Sequence, residues 1–279
     1  MPSINQIIEE ASTQLQQVSD SARLDIELLL CAVLKKERSF LHAWPEQQLQ
    51  QTQLDSFRAL LSQRIKGKPI AHILGERGFW SLNLKVTPDT LIPRPDTERL
   101  VELAVELTPQ NAQWKILDLG TGTGAIALSL AKENPNCFIT ATDQSAAAIE
   151  VAKQNAKANQ ITNIEFIQSD WFEKIADQTF NMIVTNPPYI KENDPHLKQG
   201  DVRFEPLTAL TSGEDGLNDI RVIIKESQKY LSPQGVLLIE HGYDQPEEVC
   251  QLLRSANFNN VSNYKDYNDN PRVSVGHIQ

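Results

Sequence analysis

The feature that most constrains this chain is a glycine-rich loop at residues 118–124, which reads Asp-Leu-Gly-Thr-Gly-Thr-Gly. It lies between a short apolar segment, typical of a buried strand, and a run of small and apolar residues, typical of a helix. Glycines there let the backbone turn sharply and let a ligand approach the main chain with no Cβ in the way. In parallel sheets such a loop lies at the carboxyl edge, where ligands bind. The loop therefore predicts an α/β domain with a ligand site after its first strand.

Strand and helix patterns alternate along the rest of the chain. The predicted strands cover residues 116–119, 138–142, 164–167, 180–184 and 236–239, and the predicted helices cover residues 125–131, 146–158, 217–231 and 246–256. Residues 261–267 and 272–277 are expected to form a terminal antiparallel pair. This alternation favours a doubly wound, mostly parallel sheet with helices on both faces.

The region before residue 70 has a helical pattern instead. Apolar residues recur with a period of 3.6 over residues 4–18, 22–34 and 47–65, which predicts three helices. Asp20 or Ser21 is expected to cap the second helix. The third should bury one face, which consists of Leu54, Phe57, Leu61 and Ile65.

Residues 79–86 then alternate like a strand, and Gly75 and Gly78 supply turn residues before it, which predicts a β-hairpin. Two prolines at positions 93 and 95 exclude a helix there, and Asp96 or Thr97 is expected to cap a helix that ends near residue 107. We therefore divide the chain into a helical domain (1–69), a hairpin linker (70–90) and an α/β domain (91–279).

Charge and cysteine usage narrow the functional classes. The net charge is −10, and no basic patch stands out, which argues against a nucleic-acid substrate. The three cysteines, Cys31, Cys137 and Cys250, are far apart in sequence and lack metal-ligand spacing, so we expect free thiols in a cytoplasmic protein and no metal site. No apolar run is long enough to span a membrane, and the N-terminus does not resemble a signal peptide.

The glycine loop is compatible with two kinds of ligand. Gly120, Gly122 and Ala125 satisfy the dinucleotide pattern G-x-G-x-x-G/A, but a further glycine and the preceding acid, Asp118, favour an S-adenosyl-L-methionine (SAM) loop. Asp143, at the end of the second strand, can accept hydrogen bonds from ribose hydroxyls in either case. At the end of the third strand, Asp170 and Trp171 suit an adenine, as acceptor for its amino group and as a surface for its ring.

The segment Asn-Pro-Pro-Tyr follows the fourth strand at residues 186–189. An amide nitrogen is a weak nucleophile, because its lone pair is delocalised into the carbonyl. The Asn186 side-chain oxygen and the Pro187 carbonyl can accept both of its hydrogens, and proline holds the second acceptor rigidly. Tyr189 offers an aromatic face to a flat amide. The segment predicts methyl transfer to an amide or amino nitrogen, helped mainly by orientation.

These motifs together resemble the PrmC/HemK family, the glutamine-N5 methyltransferases of peptide-chain release factors. The resemblance includes the segments at residues 91–98, 201–210 and 240–242 and spans nearly the whole chain. It implies a class I SAM-dependent methyltransferase fold, with a seven-stranded sheet and an antiparallel C-terminal strand, after the helical domain and hairpin. It implies a cofactor pocket formed by Gly120, Thr121, Gly122, Thr123, Gly124, Asp143, Asp170, Trp171 and Asn186.

The resemblance also implies an acceptor and its contacts. The acceptor would be the glutamine of the Gly-Gly-Gln motif of class 1 release factors, docked partly by the helical domain of a monomeric enzyme. The residues expected to contact it are Arg94, Asn186, Pro187, Pro188, Tyr189 and Glu205, of which Asn186, Pro187 and Tyr189 would be catalytic. His241 is expected to be structural, because the mechanism requires no imidazole.

Three other functions are compatible with some of these motifs. A DNA or RNA adenine-N6 methyltransferase could use the same tetrapeptide, but it must grip and extrude a base, which the −10 charge disfavours. A dinucleotide oxidoreductase would leave the tetrapeptide without a role. A non-catalytic nucleotide-binding protein would bind SAM without turning it over.

Overall fold

The computed structural model describes all 279 residues, and they divide into two compact units. The first unit comprises Met1–Glu76 together with Pro195–Phe204, and the second comprises Arg77–Asp194 with Glu205–Gln279. No helix is both long and apolar enough to cross a membrane.

The first unit is helical. Its helices are α1 (Ile4–Leu15), α2 (Ala22–Leu34), α3 (Arg38–Ala43), α4 (Gln51–Ile65) and α5 (Ile70–Leu74). Helix α1 begins where Ser3 and Gln6 form a capping box, and it buries an apolar stripe with a helical period. This stripe packs with α2 and α4 around one apolar core.

The sequence prediction was correct for α2 and differs elsewhere in this unit. Helix α1 ends three residues early, α4 begins at Gln51, and α3 was not predicted. Ser21 is at the N-cap position of α2, but its hydroxyl donates to Asp25 instead of capping the helix. Ile65 was expected in the core and is 41% exposed, because it ends the helix beside the turn at Gly67.

A buried ion pair holds α2, α4 and the segment Pro195–Phe204 together within this unit. Arg64 Nε lies 2.7 Å from Asp25 Oδ2, and Arg64 Nη1 lies 2.8 Å from Asp201 Oδ1. The same Nη1 donates to the carbonyl of Lys68 at 3.1 Å. The guanidinium is buried, and its charge is balanced by two carboxylates.

A short hairpin precedes the main sheet, formed by β1 (Glu76–Phe79) and β2 (Leu82–Lys85). Residues 70–74 form α5 instead of part of the hairpin, and the turn falls at Trp80 instead of the glycines. The next helix, α6 (Glu98–Leu107), follows a 3₁₀ turn at Pro95–Thr97, and Thr97 makes no side-chain cap to it.

The second unit contains a seven-stranded sheet. Its strands are β3 (Lys115–Leu119), β4 (Phe138–Asp143), β5 (Ile164–Gln168), β6 (Phe180–Thr185), β7 (Leu231–Glu240), β8 (Asn259–Lys265) and β9 (Pro271–His277). Their order is β5-β4-β3-β6-β7-β9-β8, and β9 is antiparallel to both of its neighbours. The remaining helices are α7 (Ala125–Glu133), α8 (Ala146–Ala158), α9 (Asn218–Tyr230) and α10 (Pro246–Ser255).

Apolar residues on both faces of the sheet form two cores with the helices, so the predicted doubly wound architecture is confirmed. The order of the strands reverses between β3 and β6, and this switch point is where α/β sheets form a ligand crevice. The largest difference in a boundary is at β7, which begins at Leu231, where a helix was expected to end, and its pairing with β6 is irregular between Phe180 and Met182. Strand β8 lies two residues earlier than predicted, and α7 ends two residues later.

Candidate active site

Loops that follow β3, β4, β5 and β6 line a cavity of about 370 Å³ at the carboxyl edge of the sheet. This volume is within the range of ligand pockets, ~300–1,000 Å³. Of the residues predicted from the sequence, the cavity wall includes Gly120, Gly122, Asp143, Asp170, Trp171, Asn186 and Pro188. The parallel strands therefore bring together side chains that are far apart in the sequence.

The three glycines of the loop have different surroundings, although all have positive φ. A Cβ on Gly122 would meet nothing within 4 Å, because that residue faces the cavity. A Cβ on Gly124 would lie 3.0 Å from Leu128 and 3.3 Å from Ala152, so Gly124 permits close packing at the start of α7. Thr121 and Thr123, also predicted to bind the cofactor, are buried and do not line the cavity.

Asn155 on α8 holds the glycine loop in place through a hydrogen bond to its backbone. Its Nδ2 donates to the carbonyl of Thr123 at 2.8 Å and to that of Lys85 at 3.1 Å, and its Oδ1 accepts from the Lys85 amide at 2.7 Å. The side chain is almost fully buried. No sequence pattern singles out Asn155, because an asparagine within a helical pattern is usually exposed.

Asp118 is fully buried on β3, two residues before the first glycine, and neither of its carboxylate oxygens has a hydrogen-bond partner. Burial raises the pKa of Asp118 to about 7, and the nearby Thr121 hydroxyl and Ala127 amide oppose that rise. An unpartnered buried acid next to a ligand loop favours a cationic ligand, because a positive charge compensates the lost solvation.

Asp143, at the end of β4, lines the cavity and hydrogen bonds the glycine loop. Its Oδ2 accepts from the Gly122 amide and its Oδ1 from the Ser145 amide, both at 2.9 Å. Burial raises the pKa of the Asp143 carboxyl, and these two hydrogen bonds oppose the rise. Each oxygen has a second lone pair, so Asp143 can also accept hydrogen bonds from ligand hydroxyls.

Trp171 lies against the glycine loop, within 3.4 Å of the place where a Cβ on Gly120 would be. Its indole nitrogen donates to Asp219 at 3.2 Å, and Asp219 accepts a second hydrogen bond from the Ser212 hydroxyl at 2.6 Å. Both Trp171 and Asp219 line the cavity. Asp219 was missed by sequence reasoning, because its position at the start of α9 fits an ordinary helix-terminal acid.

The Asn-Pro-Pro-Tyr segment follows β6 directly, as predicted. Asn186 Nδ2 donates to Thr97 Oγ1 at 3.1 Å. The Tyr189 hydroxyl lies 3.4 Å from Glu240 Oε1, and the Tyr189 carbonyl accepts from Gln245 Nε2 at 3.1 Å. The segment is therefore fixed at both ends by buried side chains, and neither Pro187 nor Tyr189 lines the cavity.

Glu240 is buried at the end of β7, behind this segment, and its second oxygen has no partner. Burial raises the pKa of Glu240 to about 7, while hydrogen bonding by Thr97 and Tyr189 and the charge of Arg272 oppose the rise. Arg272 itself is held by Asp266 at 3.1 Å.

The two remaining predicted contacts pair with each other. Arg94 Nη2 donates to both carboxylate oxygens of Glu205, at 2.9 and 2.8 Å. The Glu205 side chain is buried, whereas that of Arg94 is 32% exposed. Neither residue lines the cavity.

His241 follows β7 and is fully buried. Its Nδ1 lies 2.8 Å from the Gly242 carbonyl, and its Nε2 lies 2.9 Å from both Ser274 Oγ and Asn263 Nδ2. Burial lowers the pKa of His241. A neutral ring satisfied on both nitrogens fits the structural role expected for it.

The strand order, the glycine loop and the acids at the next two strand ends define a SAM-dependent methyltransferase of the class I fold. Residues 99–201 match the methyltransferase small domain, and residues 6–75 match the PrmC N-terminal domain. The chain belongs to the release factor glutamine methyltransferase family, as the comparison with its relatives shows.

The chain is 52% identical over 269 residues to the release factor glutamine methyltransferase of Escherichia coli K12, which covers 96% of each chain. It is 51% identical over 275 residues to that of Vibrio cholerae, which covers 98% of this chain and 96% of the relative. A 16S rRNA methyltransferase from T. thermophilus, solved with AdoMet and guanosine, superposes with a TM-score of 0.55 at 18% identity. It covers 73% of this chain and 50% of that one, and this likeness shows the fold.

The predicted family, fold class and cofactor are thus confirmed, and the residues of the cavity fit SAM. Asp118 is buried two residues before the glycine loop and, when ionised, would place negative charge near a ligand that bears a sulfonium and an ammonium group. Gly122 leaves open space at the loop, and Asp143 retains lone pairs for a ribose. The SAM ligand supplies an electrophilic methyl group when bound.

Proposed function

We propose that this enzyme methylates the side-chain amide nitrogen, N5, of the glutamine in the Gly-Gly-Gln motif of class 1 peptide-chain release factors. The observation behind this proposal is Asn186, held on the wall of the cavity by a hydrogen bond from its Nδ2. The relatives of this chain in Escherichia coli and Vibrio cholerae are named release factor glutamine methyltransferases, which supports the same acceptor.

The chemistry assigned to the segment is orientation of a weak nucleophile. Because Asn186 Nδ2 is committed to Thr97, its Oδ1 is the atom left to accept a hydrogen from the target amide. The Pro187 carbonyl would accept the second hydrogen, and Pro188 and Tyr189 would pack against the flat amide. With both hydrogens fixed, the nitrogen lone pair is directed at the methyl group. Positioning alone can lower such a barrier by up to ~7–11 kcal/mol.

Cofactor contacts follow from the residues on the cavity wall. Asp143 would accept from the ribose hydroxyls, and Asp170 and Trp171 would receive the adenine. The backbone of residues 120–124 would lie along the ligand. Arg94 and Glu205 would act at the acceptor side, where their mutual ion pair gives a rigid edge.

The acceptor can be tested with labelled SAM and four candidates: release factor, release factor with its motif glutamine replaced by alanine, duplex DNA and ribosomal RNA. We expect label in the intact release factor and none in the alanine variant. Label in nucleic acid and not in release factor would contradict the proposal.

The helical domain, residues 1–69, is proposed to help dock the release factor, and the enzyme to act as a cytoplasmic monomer without direct nucleic-acid contacts. The match of residues 6–75 to the PrmC N-terminal domain supports a role for this unit in the function of the family. Light scattering with and without release factor tests the oligomeric state, since a monomer should form a one-to-one complex.

A further inference from the structure

Trp171 has an unusual backbone conformation for a residue with a large side chain. Its φ angle is +41°, in the left-handed region, which bulky residues rarely adopt and which persists only where the surrounding structure holds it. The residue follows the end of β5 and lines the cavity. Contacts from other segments of the chain must therefore hold it in this conformation.

Two contacts hold the Trp171 indole, one at each edge of the ring. At the six-membered edge, Cζ3 and Cη2 lie 3.4 and 3.7 Å from the position of a Cβ on Gly120, so this glycine leaves room for the ring. At the opposite edge, the indole Nε1 donates to Asp219 Oδ1 at 3.2 Å. An indole N–H can only donate, so Asp219 is the acceptor. The χ2 torsion of tryptophan has a broad range, and these contacts select one orientation of the ring.

Asp219 is itself fixed by Ser212. The Ser212 hydroxyl donates to Asp219 Oδ2 at 2.6 Å, and the Asp219 amide donates to the same hydroxyl oxygen at 2.8 Å. Ser212 is 3% exposed, and its amide donates to the carbonyl of Ile190 at 3.0 Å. The acceptor for the indole is thus held by backbone that pairs with the residue directly after the Asn-Pro-Pro-Tyr segment.

We propose that Asp219 is a positioning residue that fixes the Trp171 ring for the adenine of SAM. The proposal rests on the proposed contact between Trp171 and the adenine, whereas the orientation of the ring rests on the hydrogen bonds. A ring that is already fixed loses less freedom when a ligand stacks on it, so Asp219 should raise SAM affinity. Because the reacting methyl group is not part of the adenine, Asp219 should affect SAM affinity more than the methyl-transfer step.

Calorimetric titration of SAM compares Asp219→Ala, which removes the acceptor, with Asp219→Asn, which keeps one oxygen for the indole and an NH₂ group for Ser212. Asp219→Ala should weaken SAM binding by about tenfold, as for loss of one hydrogen bond, and Asp219→Asn should bind SAM within about threefold of wild type. The single-turnover rate with release factor at saturating SAM should change by less than about threefold in both variants.

Asp219 also lines the cavity, so the same substitution in a Trp171→Phe background separates positioning of the ring from direct contact with SAM. Phenylalanine keeps an aromatic ring and has no N–H to donate. Asp219→Ala should therefore weaken SAM binding by less than about twofold further in that background. An equal loss in both backgrounds, wild-type affinity in Asp219→Ala, or a failure of Asp219→Asn to restore affinity would each overturn the proposal.

A second measurement needs neither SAM nor release factor. The chain has four tryptophans, so the indole N–H resonance of Trp171 can be identified by its loss in Trp171→Phe. In the free enzyme, Asp219→Ala should shift this resonance and speed its hydrogen exchange, and Asp219→Asn should not. An unchanged resonance in Asp219→Ala would overturn the positioning role alone. Wild-type SAM affinity in Trp171→Ala would instead overturn the proposed adenine contact.

Discussion

Buried carboxylates occur in both units of the chain, and their surroundings differ. In the helical unit, Asp25 pairs with Arg64, and Glu27 accepts hydrogen bonds from Arg23 and Arg38. In the methyltransferase unit, Glu205 and Asp266 are also buried and paired with arginines, whereas the carboxylate oxygens of Asp118 have no hydrogen-bond partner. A paired buried acid leaves an uncompensated charge when its partner is removed, whereas an unpaired one destabilises the free enzyme while it is ionised. The comparison separates buried acids whose charge is balanced by an arginine from one whose charge is not balanced.

The largest effect should come from breaking the buried pair in the helical unit. Arg64→Met leaves Asp25 buried without its cation, and the free energy of unfolding should fall by about 3–5 kcal/mol. Arg221→Met is the matched control, because Arg221 pairs with Asp215 at an exposed site and should contribute less than about 1 kcal/mol. Urea denaturation measures both, and equal losses would contradict the distinction.

Removing the charge of the unpaired acid, Asp118, should have the opposite effect to Arg64→Met, because it should raise the free energy of unfolding. The pKa of Asp118 is raised from 3.8 to about 7, so the folded state binds its proton more tightly than the unfolded state does. The contribution of this bound proton to the free energy of unfolding is fully present below about pH 4 and is lost as the pH rises through about 7. The free energy of unfolding changes by at most about 4 kcal/mol over this range. Glu240 contributes in the same direction, because its pKa is also raised, from 4.5 to about 7.

Asp118→Asn should therefore flatten the dependence of unfolding free energy on pH and make the free enzyme more stable than wild type at pH 8. Urea denaturation without cofactor, between pH 5 and pH 8, measures this. Asp55→Asn, on the exposed side of α4, is the control and should leave the pH dependence unchanged. An Asp118→Asn curve that parallels the wild type would show that Asp118 is not the acid involved.

Within the site, Asn186→Ala should reduce the single-turnover methylation rate by about a hundred- to a thousandfold, as for loss of one positioned polar group in other active sites. SAM affinity should fall less, because the glycine loop, Asp143 and Trp171 remain. Asn186→Asp should also slow the transfer, since a carboxylate stabilises the charged ground state more than a transition state in which that charge disperses. A near-normal rate for Asn186→Ala would show that the Asn-Pro-Pro-Tyr segment is only a rigid turn after β6.

The smallest expected effect concerns the cofactor. Asp143→Ala should weaken SAM binding by roughly ten- to a hundredfold, because charge-assisted hydrogen bonds are worth ~1.5–3 kcal/mol. Part of the loss would come from the loop, since Asp143 also accepts from the amides of Gly122 and Ser145. Asp143→Asn keeps one acceptor oxygen and should bind SAM with intermediate affinity in a calorimetric titration. An unchanged SAM dissociation constant in both variants would show that Asp143 does not bind the ribose.

The local features of this protein follow from its amino-acid sequence alone. Helices α2 and α8 begin and end at the predicted residues, and the strands that surround the glycine loop differ by one residue at most. Such features depend on periodicity, caps and glycine within a few neighbouring positions, so they are visible in a linear pattern. The same patterns placed Asp143, Trp171 and Asn186 at strand ends, which in a parallel sheet come together at one edge.

Which side chains pair across that edge depends on the tertiary structure. Thr97 fits a helix cap in the sequence, yet its hydroxyl binds Asn186, 89 residues away. Arg94 and Glu205 were both expected to contact the substrate, and they form an ion pair with each other. Glu240, left without a role by the sequence, lies behind Tyr189 because β7 is next to β6. Long-range hydrogen bonds depend on strand order and burial, which no local pattern specifies, and those bonds give the acids and amides of this site their orientation.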